Sequence, residues 1–244
     1  MRNACVLAVG IISIFLAPFG CHGRALQHEF TLAPGQGHHV DHATAMLVPI
    51  NESADVPVGL DVADDQLEDL LDEYVSEKGI SIERPEEYEY RRAARIAVRR
   101  ATQDAMSGES GTVSKTVGFE QIVPFMLDEL GSEADLVIVP NLAMRTGIYN
   151  GGRGIRWDGV RRRETGSMLL NMSGPSPVAS IFVVVYAKDG TRLFSGYGGL
   201  DTVFEVSLRQ KKFVLREDRL TNVRYLKEGV CVAFYPYFGE DERC

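Results

Sequence analysis

The sequence predicts an α/β domain, a mixed β-sheet flanked by helices, behind an N-terminal export segment. Three observations carry that reading. Short β-branched runs alternate with stretches whose apolar residues recur at helical spacing. A Lys188-Asp189-Gly190-Thr191 turn joins the two strongest strands. The first twenty residues have the layout of a secretory signal.

Composition sets the frame. The chain has 244 residues, 45% apolar and 25% charged, the balance of an ordinary folded domain with extensions. Acids outnumber bases by 34 to 26, a formal charge of -8, so nucleic acid is not an expected partner.

The first segment reads as an address. Arg2 precedes an apolar run from Val6 to Ala17, about as long as a signal-peptide core and short of the roughly 20 residues of a spanning helix. Residues 1–20 are therefore expected to be a signal peptide. Gly20 before Cys21 resembles the end of a bacterial lipobox, although Pro18 and Phe19 occupy the places usually held by Leu and a small residue. Cys21 is the expected lipidation site, and His22 after it, instead of Asp, points to the outer membrane. The small pair Gly23 and Ala25 offers the alternative of plain cleavage and a soluble periplasmic or secreted protein. Residues 21–44 then read as a polar tether. It holds all five histidines, His22, His28, His38, His39 and His42, so no histidine base is available from the body of the chain. No cofactor is expected, and the His38 to His42 cluster with Asp41 reads as tether, a transition-metal site being the alternative.

The body, residues 45–238, supplies the elements in order. Ala45 to Ile50 is a strand and Asn51 to Gly59 a turn-rich connection. Asp61 to Lys78 is a helix with Leu67, Leu70, Leu71, Tyr74 and Val75 on one stripe, acids at its start and Gly79 at its end. With Ile80 to Glu83 as a second strand, this makes a β-α-β unit. Glu86 to Met106 is a second helix with Arg91, Arg95 and Arg99 every four residues, read as a solvated face. Phe119 to Leu130 is a third helix, with Pro124 either in its first turn or kinking it. A longer strand follows from Asp135 to Ile148. Ala179 to Ala187 and Arg192 to Tyr197 form the hairpin, and Gly196, Gly198 and Gly199 are expected to loosen the chain after it. Leu220 to Phe234 is read as a helix limited by Pro236, and residues 239–244 as a tail.

Between the long strand and the hairpin, Tyr149 to Pro177 stands out. This excursion holds Gly151, Gly152, Gly154, the single tryptophan Trp157, the arginines Arg153, Arg156, Arg161, Arg162 and Arg163, and Pro175 and Pro177. The glycines match no phosphate-binding fingerprint. Tryptophan beside arginine is an interface composition, so Trp157 and these five arginines are the expected partner-binding residues. The alternative is that Trp157 caps the core. Cys231 and Cys244 remain after export as an even pair, either disulfide-bonded or a buried thiol and a free C-terminal one.

The order of a lipoprotein-like signal, a strand, a helix ending in Gly79, a short strand, further helices, the strand introduced by Ala134 and Asp135, and the Ala179 to Tyr197 hairpin resembles a periplasmic α/β domain. That domain is shared by the curli-secretion lipoprotein, the N-terminal domain of the TolB translocation protein, and small lipoproteins that activate peptidoglycan synthases. The resemblance spans most of residues 45–235. It implies a nonenzymatic, lipid-anchored subunit in envelope assembly or secretion, with an envelope protein as partner and room for a homo-oligomer. Arg153, Arg156 and Arg161 to Arg163 interrupt any alternating apolar face where the curli-type family inserts its membrane-spanning hairpin. The alternative is a periplasmic enzyme acting on an anionic substrate through carboxylates such as Asp135, Asp158 or Glu164 together with arginine.

Overall fold

A computed structural model describes residues 29–33, 43–50, 60, 63–107, 117–150, 154–162, 173–207, 212–238 and 244. The expected signal segment, Cys21 and the five histidines lie outside them. Along the chain run β1 (Phe30–Leu32), β2 (Thr44–Leu47), α1 (Asp64–Ser76), β3 (Ser81–Glu83), α2 (Glu87–Ser107), α3 (Phe119–Leu130) and β4 (Leu136–Asn150). They are followed by β5 (Ile155–Trp157), β6 (Val160–Arg162), β7 (Ser173–Ala187), β8 (Arg192–Thr202), β9 (Phe204–Ser207), β10 (Lys212–Leu215) and α4 (Val223–Phe234). The class is α/β, as the sequence predicts.

The main sheet runs β1-β8-β7-β4-β2-β3. β2 is parallel to β3 and β4, whereas β4, β7, β8 and β1 pair antiparallel, which makes the sheet mixed. Side chains alternate across it. Ala45, Leu47, Leu136, Ile138, Ile181, Val183 and Val185 join α1 and α4 in one core. Met46, Val48, Val137, Val139, Val184 and Tyr186 join α2 and α3 in the other. Apolar residues at consecutive positions of these strands thus bury both faces of a three-layer domain.

The helices form where the apolar spacing places them. α1 buries Leu67, Leu70, Leu71 and Val75 and joins the parallel pair β2 and β3. α3 ends on Gly131 in the left-handed region, φ 62°, where the Gly131 N–H caps the Asp128 carbonyl and the Ser132 N–H that of Leu127. Pro124 lies beyond the first turn of α3 and cannot donate to the Glu120 carbonyl four residues back. That carbonyl is met instead by Gly190 of the β7–β8 turn, where a Cβ would overlap it. Gly190 itself has φ 86°. The proline and the turn glycine are therefore two sides of one contact.

Four expectations are corrected. Phe30–Leu32, inside the stretch expected as a tether, pairs with Gly196, Ser195 and Phe194 as the edge strand β1. The excursion is shorter than 149–177, because β4 runs on to Asn150 and β7 begins at Ser173. Pro175 and Pro177 fit within β7 since β8 joins only from Val178 onward, leaving their missing N–H groups on an unpaired side. Finally, Gly196, Gly198 and Gly199 do not loosen the chain. They lie inside β8, where α4 crosses so closely that a Cβ on Gly196 would overlap the Ala233 carbonyl and one on Gly198 the Gly229 carbonyl. The antiparallel hairpin β9–β10 went unread in the sequence.

The C-terminus is stapled to this layer. Cys231 of α4 and Cys244 form a disulfide with Cα atoms 5.6 Å apart, one of the two alternatives the sequence left open. α4 itself begins at Asn222, whose side chain accepts from the Tyr225 N–H.

Candidate functional site

The residues expected to meet a partner cluster on the small hairpin β5–β6, which is hinged on Asp158 and Gly159. Both have positive φ, 33° and 78°. This is the backbone a two-residue hairpin turn needs, and the Asp-Gly pair supplies it. β5 adds to the far end of β4 through Ile148↔Arg156 and Tyr149↔Ile155, so the hairpin folds back onto the sheet.

Folding back turns Trp157 inward. It is 4% exposed, packs with Ile155, Val160, Val178 and Val232, and donates from Nε1 to the Ala179 carbonyl at 3.1 Å. Arg162 follows it, also at 4% exposure. Its guanidinium donates to the carbonyls of Leu200, Gly199 and Tyr225 and to the Glu228 carboxylate at 2.7 Å, and it stacks 4.1 Å from the Tyr225 ring centroid. Two of the six expected partner-binding residues are thus structural. A buried arginine with five donors satisfies carbonyls that the β8–α4 junction would otherwise strand. Arg156 and Arg161 are half-buried, and Arg153 and Arg163 lie outside the described residues.

Asp158 has a structural task as well. It is buried, accepts from Ser180 Oγ at 2.7 Å, and accepts from Arg145 Nε at 3.2 Å and Nη2 at 3.4 Å. Arg145 also reaches Glu29 at 2.6 Å and stacks 4.2 Å over Tyr197. Burial opposes the charge on Arg145, and its hydrogen bonds to Asp158 and Glu29 outweigh that, holding its pKa above the ordinary arginine value. Through this chain of contacts the hairpin turn, the sheet and the entering strand β1 are fixed together.

The carboxylates weighed for chemistry are not gathered. Asp135 is exposed and accepts from the Thr44 N–H at 3.2 Å, next to the Leu136↔Ala187 pair. Asp158 is held by Ser180, opposite Ala143, about 25 Å further along the sheet at 3.3 Å per residue. Glu164 lies outside the described residues. Among the described residues no set of three or more His, Cys, Asp or Glu side chains is placed to hold a metal ion. No helix among them is long and apolar enough to cross a membrane.

A second buried acid escaped the sequence reading. Asp201, 1% exposed, accepts from Arg216 at 3.0 Å and from the N–H groups of Thr202 at 2.8 Å and Leu220 at 2.9 Å. It fixes Leu220, which has a positive φ of 57°, at the entry to α4. Nothing local in the sequence marks a pair fifteen residues apart across an intervening hairpin.

Among the described residues, three hollows border α2. One, of about 470 Å3, opens near the carboxyl ends of the parallel strands β2 and β3, where α/β folds commonly take ligands. Several of its charges are engaged within the molecule: Glu68 accepts from the Ile50 N–H, Arg84 pairs with Asp69 and Asp72, and Arg91 with Glu87. A second, of about 690 Å3, runs along α2 beside Tyr88, Arg95 and Val98, and a third, of about 280 Å3, lies between α2 and α3 beside Tyr88, Arg92 and Leu130.

No family model matches the chain, and no curated protein matches it. Among solved structures it is similar to a dodecameric PelC variant from Paraburkholderia phytofirmans, at 11% identity and a TM-score of 0.32. The alignment covers 84% of this chain and 99% of that one. A likeness this loose carries no argument about what the chain does.

Proposed function

We propose that the chain is an exported, lipid-anchored envelope protein that acts by binding, as an accessory subunit in assembly or secretion. The observation that carries this reading is the Cys231–Cys244 disulfide. Paired cysteines belong to oxidising compartments, and export is what the signal-like segment before Cys21 is for. The element order that resembles the periplasmic α/β domain points the same way. With Trp157 and Arg162 serving the interior, binding falls to side chains that face solvent.

The test is direct. The protein is isolated from membranes of its native host, its mature N-terminus is read by mass spectrometry, and co-purifying proteins are identified. An acylated Cys21 and a stoichiometric envelope partner are the expected result. Retention of Met1 on protein found in the cytosol overturns the proposal.

A further inference from the structure

α2 presents one side to solvent that no other described element covers. At 100° per residue, Tyr88, Arg92, Arg95, Arg99 and Met106 fall within an arc of about 60°. All five are exposed, Tyr88 by 71% and Met106 by 70%. The helix's three acids, Glu87, Glu89 and Asp104, lie about 90° or more from the middle of that arc, and Glu87 is paired with Arg91. Arg100, the other arginine near this stretch, is spent on Asp128 and Glu129 of α3. The result is a strip about 27 Å long with an aromatic at one end, a thioether at the other and three guanidiniums between them.

We infer that this strip docks on an anionic lipid surface, with its guanidiniums on lipid phosphates and Tyr88 and Met106 at headgroup level. Arginine matches phosphate geometry with paired N–H donors, and tyrosine suits an interface that is apolar on one side and wet on the other. Shape separates this occupant from a peptide. The larger hollow beside the strip is lined by α2 alone, from Glu87 to Val98, and the smaller, walled by Glu129 and Leu130 of α3, holds only about 280 Å3, below the size of a ligand cleft. A convex ridge suits a plane. A second copy of the chain is the other anionic candidate through its acidic α1, but Asp69 and Asp72 are already matched by Arg84, and Glu73 by Lys227.

The inference rests on the lipid-anchored reading for its strength. Each arginine near a charged bilayer is worth about a fivefold gain in partitioning, so three give roughly 100-fold. For a protein of net charge -8 in solution this makes a weak, salt-sensitive attachment, and it is enough to orient one already held close. From Cys21 to Glu29 the chain can reach at most about 28 Å, which keeps the domain at the surface of any membrane that holds Cys21.

The experiment uses the exported chain carrying Cys21→Ser, which has no acyl group, and vesicles of phosphatidylcholine with or without phosphatidylglycerol. Sedimentation with the anionic vesicles and not the neutral ones is expected, weakening as salt rises. Arg92→Glu, Arg95→Glu and Arg99→Glu together should lower that partitioning by more than the roughly 100-fold that neutralising the three would cost. Tyr88→Ala with Met106→Ala should lower it at constant charge, with unchanged circular dichroism in both variants. Equal partitioning into both vesicle types, or a charge-reversed variant that binds like its parent, overturns the inference. So does absent vesicle binding with self-association, read by light scattering, that the charge-reversed variant loses; the strip then belongs to a second copy. Acylation of Cys21 is read separately on the wild-type protein, so the two readings fail independently.

Discussion

Gly198 of β8 and Gly229 of α4 meet backbone to backbone. A Cβ on Gly198 would overlap the Gly229 carbonyl, and one on Gly229 would sit 2.7 Å from the Gly199 carbonyl oxygen. Backbone cannot swing aside as a side chain can, so Gly198→Ala must lift α4 from the sheet. A loss of about 1 to 3 kcal/mol in urea denaturation is expected. Gly79→Ala is the control: φ is 81° there but no atom lies within 4 Å, so only the backbone strain of about 1 kcal/mol should appear. Equal losses at the two sites would refute the close-crossing account.

Arg162 supports a second contrast. Arg162→Ala strands the buried Leu200 and Gly199 carbonyls and leaves Glu228 without its partner, and a loss of about 3 to 5 kcal/mol is expected. Arg162→Lys should recover little, because one ammonium cannot reach the acceptors that the planar fork spans. Arg156→Ala, on the neighbouring strand and half-buried, should stay within about 0.5 kcal/mol. Thermal melts of the three variants check this ordering.

These two sites mark where sequence reading worked and where it stopped. Apolar period and turn residues are local, so α1, α2, α3, α4, β4 and the Asp189-Gly190 turn stood in the sequence at nearly their final bounds, whereas β7 and β8 run six and five residues longer than read. Whether a glycine is loose or crowded depends on which helix crosses it, and no window around Gly198 contains Gly229. The same limit hid the inward turn of Arg162 and left that of Trp157 as one of two alternatives. One signal was available: Asp158-Gly159 between Ile155–Trp157 and Val160–Arg162 is the hairpin pattern that was recognised at Asp189-Gly190, and it folds this segment onto the core.

The disulfide closes a short loop, with a sequence separation of 13. Cys244→Ser should cost about 3 kcal/mol by the loop-entropy estimate, and adding dithiothreitol to the wild-type protein should reproduce the loss. Alkylation of protein drawn from cells without reductant, followed by mass measurement, should find both thiols protected. Two alkylated cysteines would show that the bond does not form in the cell.

Stability should fall in strong base. Burial pushes the Tyr237 phenol up to about 12, against about 10 when unfolded. The unfolded chain therefore releases this proton first, and stability that is complete below pH 10 is lost as pH climbs toward 12. About two pKa units correspond to roughly 2 to 3 kcal/mol. Tyr186 and Tyr197, also raised by burial, act in the same direction. Denaturation midpoints between pH 9 and 12 should drop less steeply for Tyr237→Phe, and parallel curves would contradict this assignment.

The placement of the helices on opposite faces of the sheet has an electrical side. α1 carries six carboxylates and no basic residue, while α2 carries five arginines against three acids on the other face. The molecule is thus polarised through its thickness, and a charged plane exerts a torque on it before touching it. Screening limits that torque to the last ~8 Å at physiological salt. Rotation into the preferred attitude would therefore be a short-range event, sensitive to ionic strength and completed during approach.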